Sequence, residues 1–170
     1  MKITIMSRLN ASRILNSPKS KNITHIVSIG TKSWLERPPS GYMYHPAKKV
    51  RLIFDDVTWS RKDPLYGYLT APSKTDVIKL IDFLKIVVQE DGDCLLHCFA
   101  GISRSTASAL VLLSIKHGDG NEREAVLELM RISATSHPNM LIVRLSDEIL
   151  GRAGKLERAL EDFYNGVYGK

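Results

Sequence analysis

Cysteine is scarce in this chain. There are two in 170 residues, Cys94 and Cys98. On one strand they would stand about 13 Å apart at roughly 3.3 Å per residue, too far for a disulfide. The spacing brings no third or fourth ligand with it, so no metal site is expected. Cys94 reads as a buried packing residue and Cys98 as a free thiol, which suits a reducing cytoplasm. No apolar run reaches membrane-spanning length, and the opening Met1 to Arg8 lacks the apolar core of a secretory signal. A cytoplasmic chain with no stable membrane association is therefore expected. Low-complexity tracts and internal repeats are absent. A net charge of +6 favours anionic partners, but no nucleic-acid motif or aromatic platform accompanies it, so no nucleic-acid partner is expected. At 44% apolar residues the chain has ample material for the core of one domain spanning 1–170.

The hydrophobic pattern alternates between strands and helices. Ile3 to Ile5, Thr24 to Gly30, Val50 to Phe54 and Cys94 to His97 read as strands. Ser7 to Leu15 reads as a helical turn. Ser73-Lys74-Thr75-Asp76 is a capping box that opens a helix with Val77, Leu80, Ile81, Leu84 and Val88 on one face. The run after Arg104 is apolar almost all round, which predicts a central buried helix. Helices follow from Asn121 through Arg131, from Pro138 until Gly151, and from Gly154 to Tyr164. Trp34 to Pro46 and Val57 to Pro72 read as irregular connections. The result is an α/β fold: a single domain with a mostly parallel central sheet of four to five strands flanked by helices.

Residues 97–105 read His97-Cys98-Phe99-Ala100-Gly101-Ile102-Ser103-Arg104-Ser105. An apolar strand precedes them and a helix follows. Strand, small-residue loop and helix start is the arrangement that turns backbone N–H groups of Phe99, Ala100, Gly101, Ile102 and Ser103 inward as an anion nest. A phosphate-sized dianion fits there, with Cys98 beneath it and Arg104 beside it. A helix N-terminus, inward N–H groups and a cation all stabilise a thiolate, the nucleophilic form of cysteine. Arg104 also offers a fork for two phosphate oxygens. Gly101 permits positive φ and close approach. Ser103 and Ser105 are hydroxyls placed to hydrogen-bond the sulfur as a leaving group. The His97 side chain points away from that of Cys98 on an extended strand, which gives it an orienting role.

The pattern C-x5-R-S preceded by His resembles the signature of the cysteine-dependent protein tyrosine phosphatases, in particular their small dual-specificity-like branch. Residues 50–150 carry the likeness. The resemblance implies a general-acid Asp on a loop upstream of the Cys. Asp56, at the end of Val50 to Phe54 and before an irregular segment of lid-like length, is the expected acid. Asp55 comes second and Asp63 third. Arg131-Ile132-Ser133 and Pro138-Asn139 resemble a further stretch of that family, here interrupted by four extra residues, Ala134 to His137.

What the likeness implies is a phosphomonoester hydrolase acting on phosphotyrosine, with phosphoserine or phosphothreonine as further substrates. It needs no cofactor and no metal. Its catalytic residues are Cys98, Arg104, Asp56, Ser105 and His97, and its loop holds phosphate, sulfate or vanadate. A phosphorylated protein is the expected partner. The loop holds no lysine, which weakens the likeness to lipid-phosphatase branches. A phosphoinositide or other small-molecule phosphatase is the alternative within the same chemistry, and a non-catalytic phosphate-binding module the alternative outside it. Lys48, Lys49 and Arg51, with Arg61 and Lys62, flank the acid loop and are expected at the mouth of the site. Trp34, Trp59 and Tyr66 are candidates for stacking on a substrate ring; packing is the alternative for each. His25, His45 and His137 read as local packing or loop residues.

Overall fold

A computed structural model describes residues 1–32 and 36–167. Four parallel strands form the central sheet: β1 (Ile3–Ser7), β2 (His25–Gly30), β3 (Lys48–Ile53) and β6 (Cys94–Cys98). Their spatial order is β1-β6-β2-β3. Ser7 lies opposite Cys98, Ser28 opposite His97 and Gly30 opposite Ile53. The carboxyl ends of all four strands therefore share one rim, where ligands of open parallel sheets gather. Cys98 ends an interior strand on this rim.

Helix α1 (Arg8–Leu15) covers one face of the sheet, where Ala11 and Leu15 pack with Ile26 and Leu95. The other face carries α2 (Lys74–Gln89), α3 (Arg104–His117), α4 (Glu122–Ile132), α5 (Met140–Ile149) and α6 (Lys155–Tyr164). Every residue of α3 from Arg104 to Ser114 is buried, as its all-round apolar pattern predicts. Strand alternation puts Cys94, Leu96 and Cys98 into the larger core and Leu95 into the smaller one beneath α1. The capping box at Ser73 forms, with Ser73 and Asp76 satisfying each other's backbone N–H groups.

Several boundaries and one element differ from the sequence reading. Strand β3 begins two residues earlier than Val50 and stops before Phe54. Asn121 makes no side-chain cap; its amide turns back to donate to the His117 carbonyl at 2.9 Å. Helix α5 is capped by Asn139, whose Oδ1 accepts from the Leu141 and Ile142 N–H groups, so Pro138 lies just outside it. The segment 57–72, expected to be irregular, contains an antiparallel hairpin of β4 (Arg61–Asp63) and β5 (Gly67–Leu69). Turn chemistry explains the hairpin: the Asp63 carboxylate accepts from the Leu65 and Tyr66 N–H groups, and Gly67 takes φ +75° to rejoin the ladder. Trp34 lies outside the described residues.

Candidate active site

Phe99 to Ser103 form a loop between β6 and α3, and three of its carbonyls are pulled outward. The Arg8 N–H donates to the Phe99 oxygen at 3.1 Å, the His137 N–H to Ile102 at 2.9 Å, and the Asn139 N–H to Ser103 at 3.3 Å. Turning those carbonyls out leaves the N–H groups for the inside, which is what an anion nest requires. Gly101 has φ +81°, and a Cβ there would lie 2.5 Å from the Met6 carbonyl carbon. Both the dihedral and the contact with β1 demand glycine.

The Cys98 sulfur lies at the floor of this cup, and the residue as a whole is 1% exposed. The Gly101 N–H donates to it at 3.3 Å, and the Ser105 hydroxyl lies 3.3 Å away. Ser103, the other hydroxyl considered for the sulfur, donates instead to Asp56 Oδ1 at 2.7 Å. Cys94 is a different kind of thiol. Burial pushes it up to about 12, so it stays protonated.

Arg104 is 4% exposed. Its Nη1 donates to the carbonyls of Phe54 (2.9 Å) and Gly30 (3.3 Å) and to the Thr31 hydroxyl (3.1 Å). Thr31 is held in turn by the Glu36 carboxylate, which accepts its N–H at 2.9 Å and lies 3.1 Å from Arg8 Nε. These contacts fix the plane of the guanidinium. Its Nε is buried without a hydrogen-bond acceptor, 3.8 Å from Asp56 Oδ2. A buried cationic donor with no acceptor is costly in a folded protein, and an oxyanion in the cup would satisfy it.

Asp55 and Asp56 separate cleanly. Asp55 is 2% exposed; its carboxylate accepts from the Lys32 N–H at 3.1 Å and the Thr70 N–H at 2.7 Å, tying the loop after β3 to the segment after β5. Asp56 points to the mouth and accepts from Ser103 Oγ and from Asn139 Nδ2 at 2.9 Å. Asp63 is occupied by the hairpin turn.

His97 faces away from the cup. Its Nδ1 lies 3.4 Å from the Cys98 carbonyl, and its Nε2 2.7 Å from Ser28 Oγ. Burial first, and then Arg51, Arg8 and Arg104, lower its pKa to about 4. The ring is therefore neutral at pH 7. The Cys98 carbonyl can only accept, which assigns the ring proton to Nδ1 and leaves Nε2 to accept the Ser28 hydroxyl proton. Ser28 Oγ accepts from Arg51 Nη1 at 2.6 Å, while Arg51 Nη2 donates to the Glu36 carbonyl at 2.6 Å. Gly30 makes room for this chain, because a Cβ there would meet Arg51 Nη2 at 2.2 Å. Ser28, Arg51, Thr31, Glu36 and Asn139 thus brace the site. None lies in the 97–105 motif; Asn139 has a signal in the Pro138-Asn139 match, and Arg51 has one in its charge, which points to the mouth and not to this network.

The basic residues expected at the mouth are mostly elsewhere. Lys48 begins β3 at the opposite rim and pairs with Glu90. Lys49 donates to the carbonyls of Tyr42, Met43 and His45. Arg51 is inside the network under His97. Register explains the two lysines, which stand too early on β3 to reach its carboxyl end, whereas the Arg51 side chain reaches that end but turns across Gly30 to Ser28 and the Glu36 carbonyl. Arg61 does line a groove beside the cup. Tyr66 and Phe99 border a cleft of about 160 Å³ together with Asp56, Val57 and Arg104. His25 pairs with Glu90, and His45 accepts the Ala47 N–H.

No family model matches the chain. A curated relative, dual specificity protein phosphatase 1B of Arabidopsis thaliana, is 30% identical over 118 residues. The match covers 66% of this chain and 56% of the relative, so the chain spans little more than half of the relative's length. Among solved structures, DUSP15 matches with a TM-score of 0.60 at 22% identity over 94% of this chain and 90% of that one. PTPMT1 in complex with PI(5)P matches with a TM-score of 0.58 at 20% identity over 89% of this chain and 94% of that one. These structural likenesses are likenesses of fold. Taken with the 97–105 motif and the curated relative, they show a chain similar to the small dual-specificity phosphatases, and the resemblance carried by the motif extends to the fold.

Proposed function

We propose that residues 1–170 form a catalytic unit that hydrolyses phosphomonoesters, phosphotyrosine of proteins foremost, in two steps. The Cys98 thiolate attacks phosphorus and forms a sulfur–phosphorus bond. The ester oxygen leaves with its electron pair and takes the proton of Asp56. Water then attacks the cysteinyl phosphate, giving a proton to Asp56; inorganic phosphate departs and the thiolate returns, with Ser105 hydrogen-bonded to it. The loop N–H groups and Arg104 supply the positive field for the transferring phosphoryl group. His97 orients the strand end and does not exchange protons.

The observation that carries this reading is the buried, acceptor-less Nε of Arg104, held beside the cup whose floor is the Cys98 sulfur. Aryl esters are favoured because Tyr66 and Phe99 border the cleft above Arg104. Phosphoserine and phosphothreonine are further substrates of the same machinery. A reducing compartment such as the cytoplasm keeps Cys98 as a thiol. Among the described residues, no helix is long and apolar enough to cross a membrane. A phosphoinositide substrate is the second reading, favoured by the likeness to PTPMT1, whose solved complex holds PI(5)P. It ranks second because no cationic side chain stands between Phe99 and Ser103.

The test is hydrolysis of phosphotyrosine peptides and of vesicle-borne phosphoinositides by wild type and by Cys98→Ser. Phosphotyrosine turnover that vanishes in Cys98→Ser while phosphate binding persists supports the proposal. Turnover surviving in Cys98→Ser, or confined to phosphoinositides, overturns it.

A further inference from the structure

We propose that the groove beside the cup is a second substrate subsite, which binds an acidic side chain flanking the phosphorylated residue of a protein through Arg61. The proposal deepens the phosphatase reading and rests on it for the placement of the scissile ester. The groove, about 430 Å³, is lined at one end by Asp56 and Ser103 and therefore adjoins the cup. One wall is Trp59 and Arg61, on the segment that follows Asp56. The other is His137 to Met140, ahead of α5.

The chemistry of these walls selects the ligand. Trp59 is 63% exposed, and the Arg61 guanidinium sits over its ring at 5.0 Å. An exposed indole stacked by a cation is a prepared platform. Among the described residues, Arg61 enters no ion pair, unlike Arg8, Arg104, Arg144 and Arg152. Asp56 is the groove's carboxylate, and Ser103, Asn139 and Arg104 already surround it. A planar guanidinium that has no carboxylate partner presents a fork for one.

The opposite wall begins at the end of Ala134 to His137, the segment that interrupts the resemblance in the sequence. The four extra residues Ala134 to His137 end in a His137 ring packed 5.6 Å from Tyr164, with its backbone fixed to Ile102. Pro138 and Met140 add apolar surface for the stem of a side chain. A cluster of cations, as a membrane surface or an inositol polyphosphate would call for, is not what lines this groove; one fork on an aromatic ring suits one carboxylate of a peptide.

The experiment compares kcat/KM for phosphotyrosine peptides of one core sequence carrying Glu, Ala or Lys at each flanking position. Wild type is expected to favour Glu over Ala at one position by about threefold to fivefold, the size of a well-formed exposed ion pair. The preference should reside in KM and weaken with added salt. Arg61→Ala should abolish it, Arg61→Lys should keep part of it, and Arg61→Glu should transfer it to the Lys peptide. A Glu preference that is absent, or that survives in Arg61→Ala and Arg61→Glu, overturns the proposal, as does selectivity for phosphoinositide vesicles alone. The same peptides are titrated onto Cys98→Ser. If wild type hydrolyses nothing but the Arg61-dependent Glu preference persists in binding, the phosphatase reading falls and the subsite stands.

Discussion

Replacing Asp55 and Asp56 separately by Asn should split stability from catalysis. Asp56 is partly exposed and accepts from Ser103 and Asn139. An amide oxygen can still accept those bonds, so the fold should lose less than about 1 kcal/mol. What vanishes is the proton for the leaving oxygen. General-acid effects start near 10²-fold, equivalent to roughly 2.7 kcal/mol of barrier. The full loss should appear with a tyrosyl leaving group, whose phenol has a pKa of about 10. It should be smaller for nitrophenyl phosphate, whose leaving group is already stable as an anion. Asp55→Asn has the opposite signature. Its carboxylate receives two backbone N–H groups in a buried site, and one amide N–H₂ would then face an N–H donor. A lost charge-assisted bond of about 1.5–3 kcal/mol lowers Tm by roughly 3–12 °C at this chain length. Activity per folded molecule should fall far less, with no dependence on leaving group. Thermal unfolding plus steady-state kinetics on both esters decides the matter. If Asp55→Asn gives the leaving-group-dependent loss, or Asp56→Asn slows both esters equally, the assignment of the acid is wrong.

Further expectations follow from the bracing network. The pKa of His97 is lowered to about 4, chiefly by burial, against an ordinary 6.5, so the folded state holds it neutral where the unfolded state binds a proton. Its contribution to stability is complete above pH 6.5 and is lost as pH falls toward 4, to a total of about 3 kcal/mol. Urea midpoints at pH 7 and 4.5 should therefore diverge more in wild type than in His97→Gln, and equal divergence refutes this. Ser28→Ala removes the donor to His97 Nε2 and the acceptor of Arg51 Nη1, which should cost about 1–3 kcal/mol by chemical denaturation; an unchanged midpoint would show that the network is idle. Gly101→Ala forces a Cβ against Met6 at positive φ, so it should lose turnover and phosphate affinity by tenfold or more, measured by kinetics and calorimetry.

The parts of this molecule that are legible in the sequence are those fixed by neighbours along the chain. The β6–loop–α3 unit, the Ser73 capping box and the burial of α3 each depend on local period or local turn chemistry, and all three form as read. Asp56 follows one parallel strand and Cys98 ends another, so their common rim also follows from topology. The hairpin of β4 and β5 is less visible because its strands are three residues each, too short to display alternation. The lysines of β3 mislead for a related reason. Nearness to Asp56 in sequence is distance along a strand, and at roughly 3.3 Å per residue Lys48 stands about 17 Å from the end of β3 at Ile53. Least legible is the chain from Glu36 through Arg51 and Ser28 to His97. It needs three strands in a specific order and a glycine at position 30 for a side chain from β3 to cross, and no local pattern encodes that.

The cup itself is a long-range object, and this has a measurable consequence. Its carbonyls are turned out by Arg8, which follows β1, and by His137 and Asn139, which precede α5. Residues about 90 positions before the loop and about 35 after it therefore set the direction of its N–H groups. Such a nest exists only when the sheet and α5 are both in place, so an oxyanion bound there binds the folded chain and not the unfolded one. At a hundred times its dissociation constant, vanadate or phosphate should then stabilise the protein by about 2.7 kcal/mol, or roughly 5–11 °C in Tm for a chain of this length. Arg104→Met should remove most of that shift, since it deletes the buried Nε and its charge, whereas Lys48→Met, at the far rim, should leave it intact. A thermal shift that is equal in both variants would place the anion somewhere other than the cup.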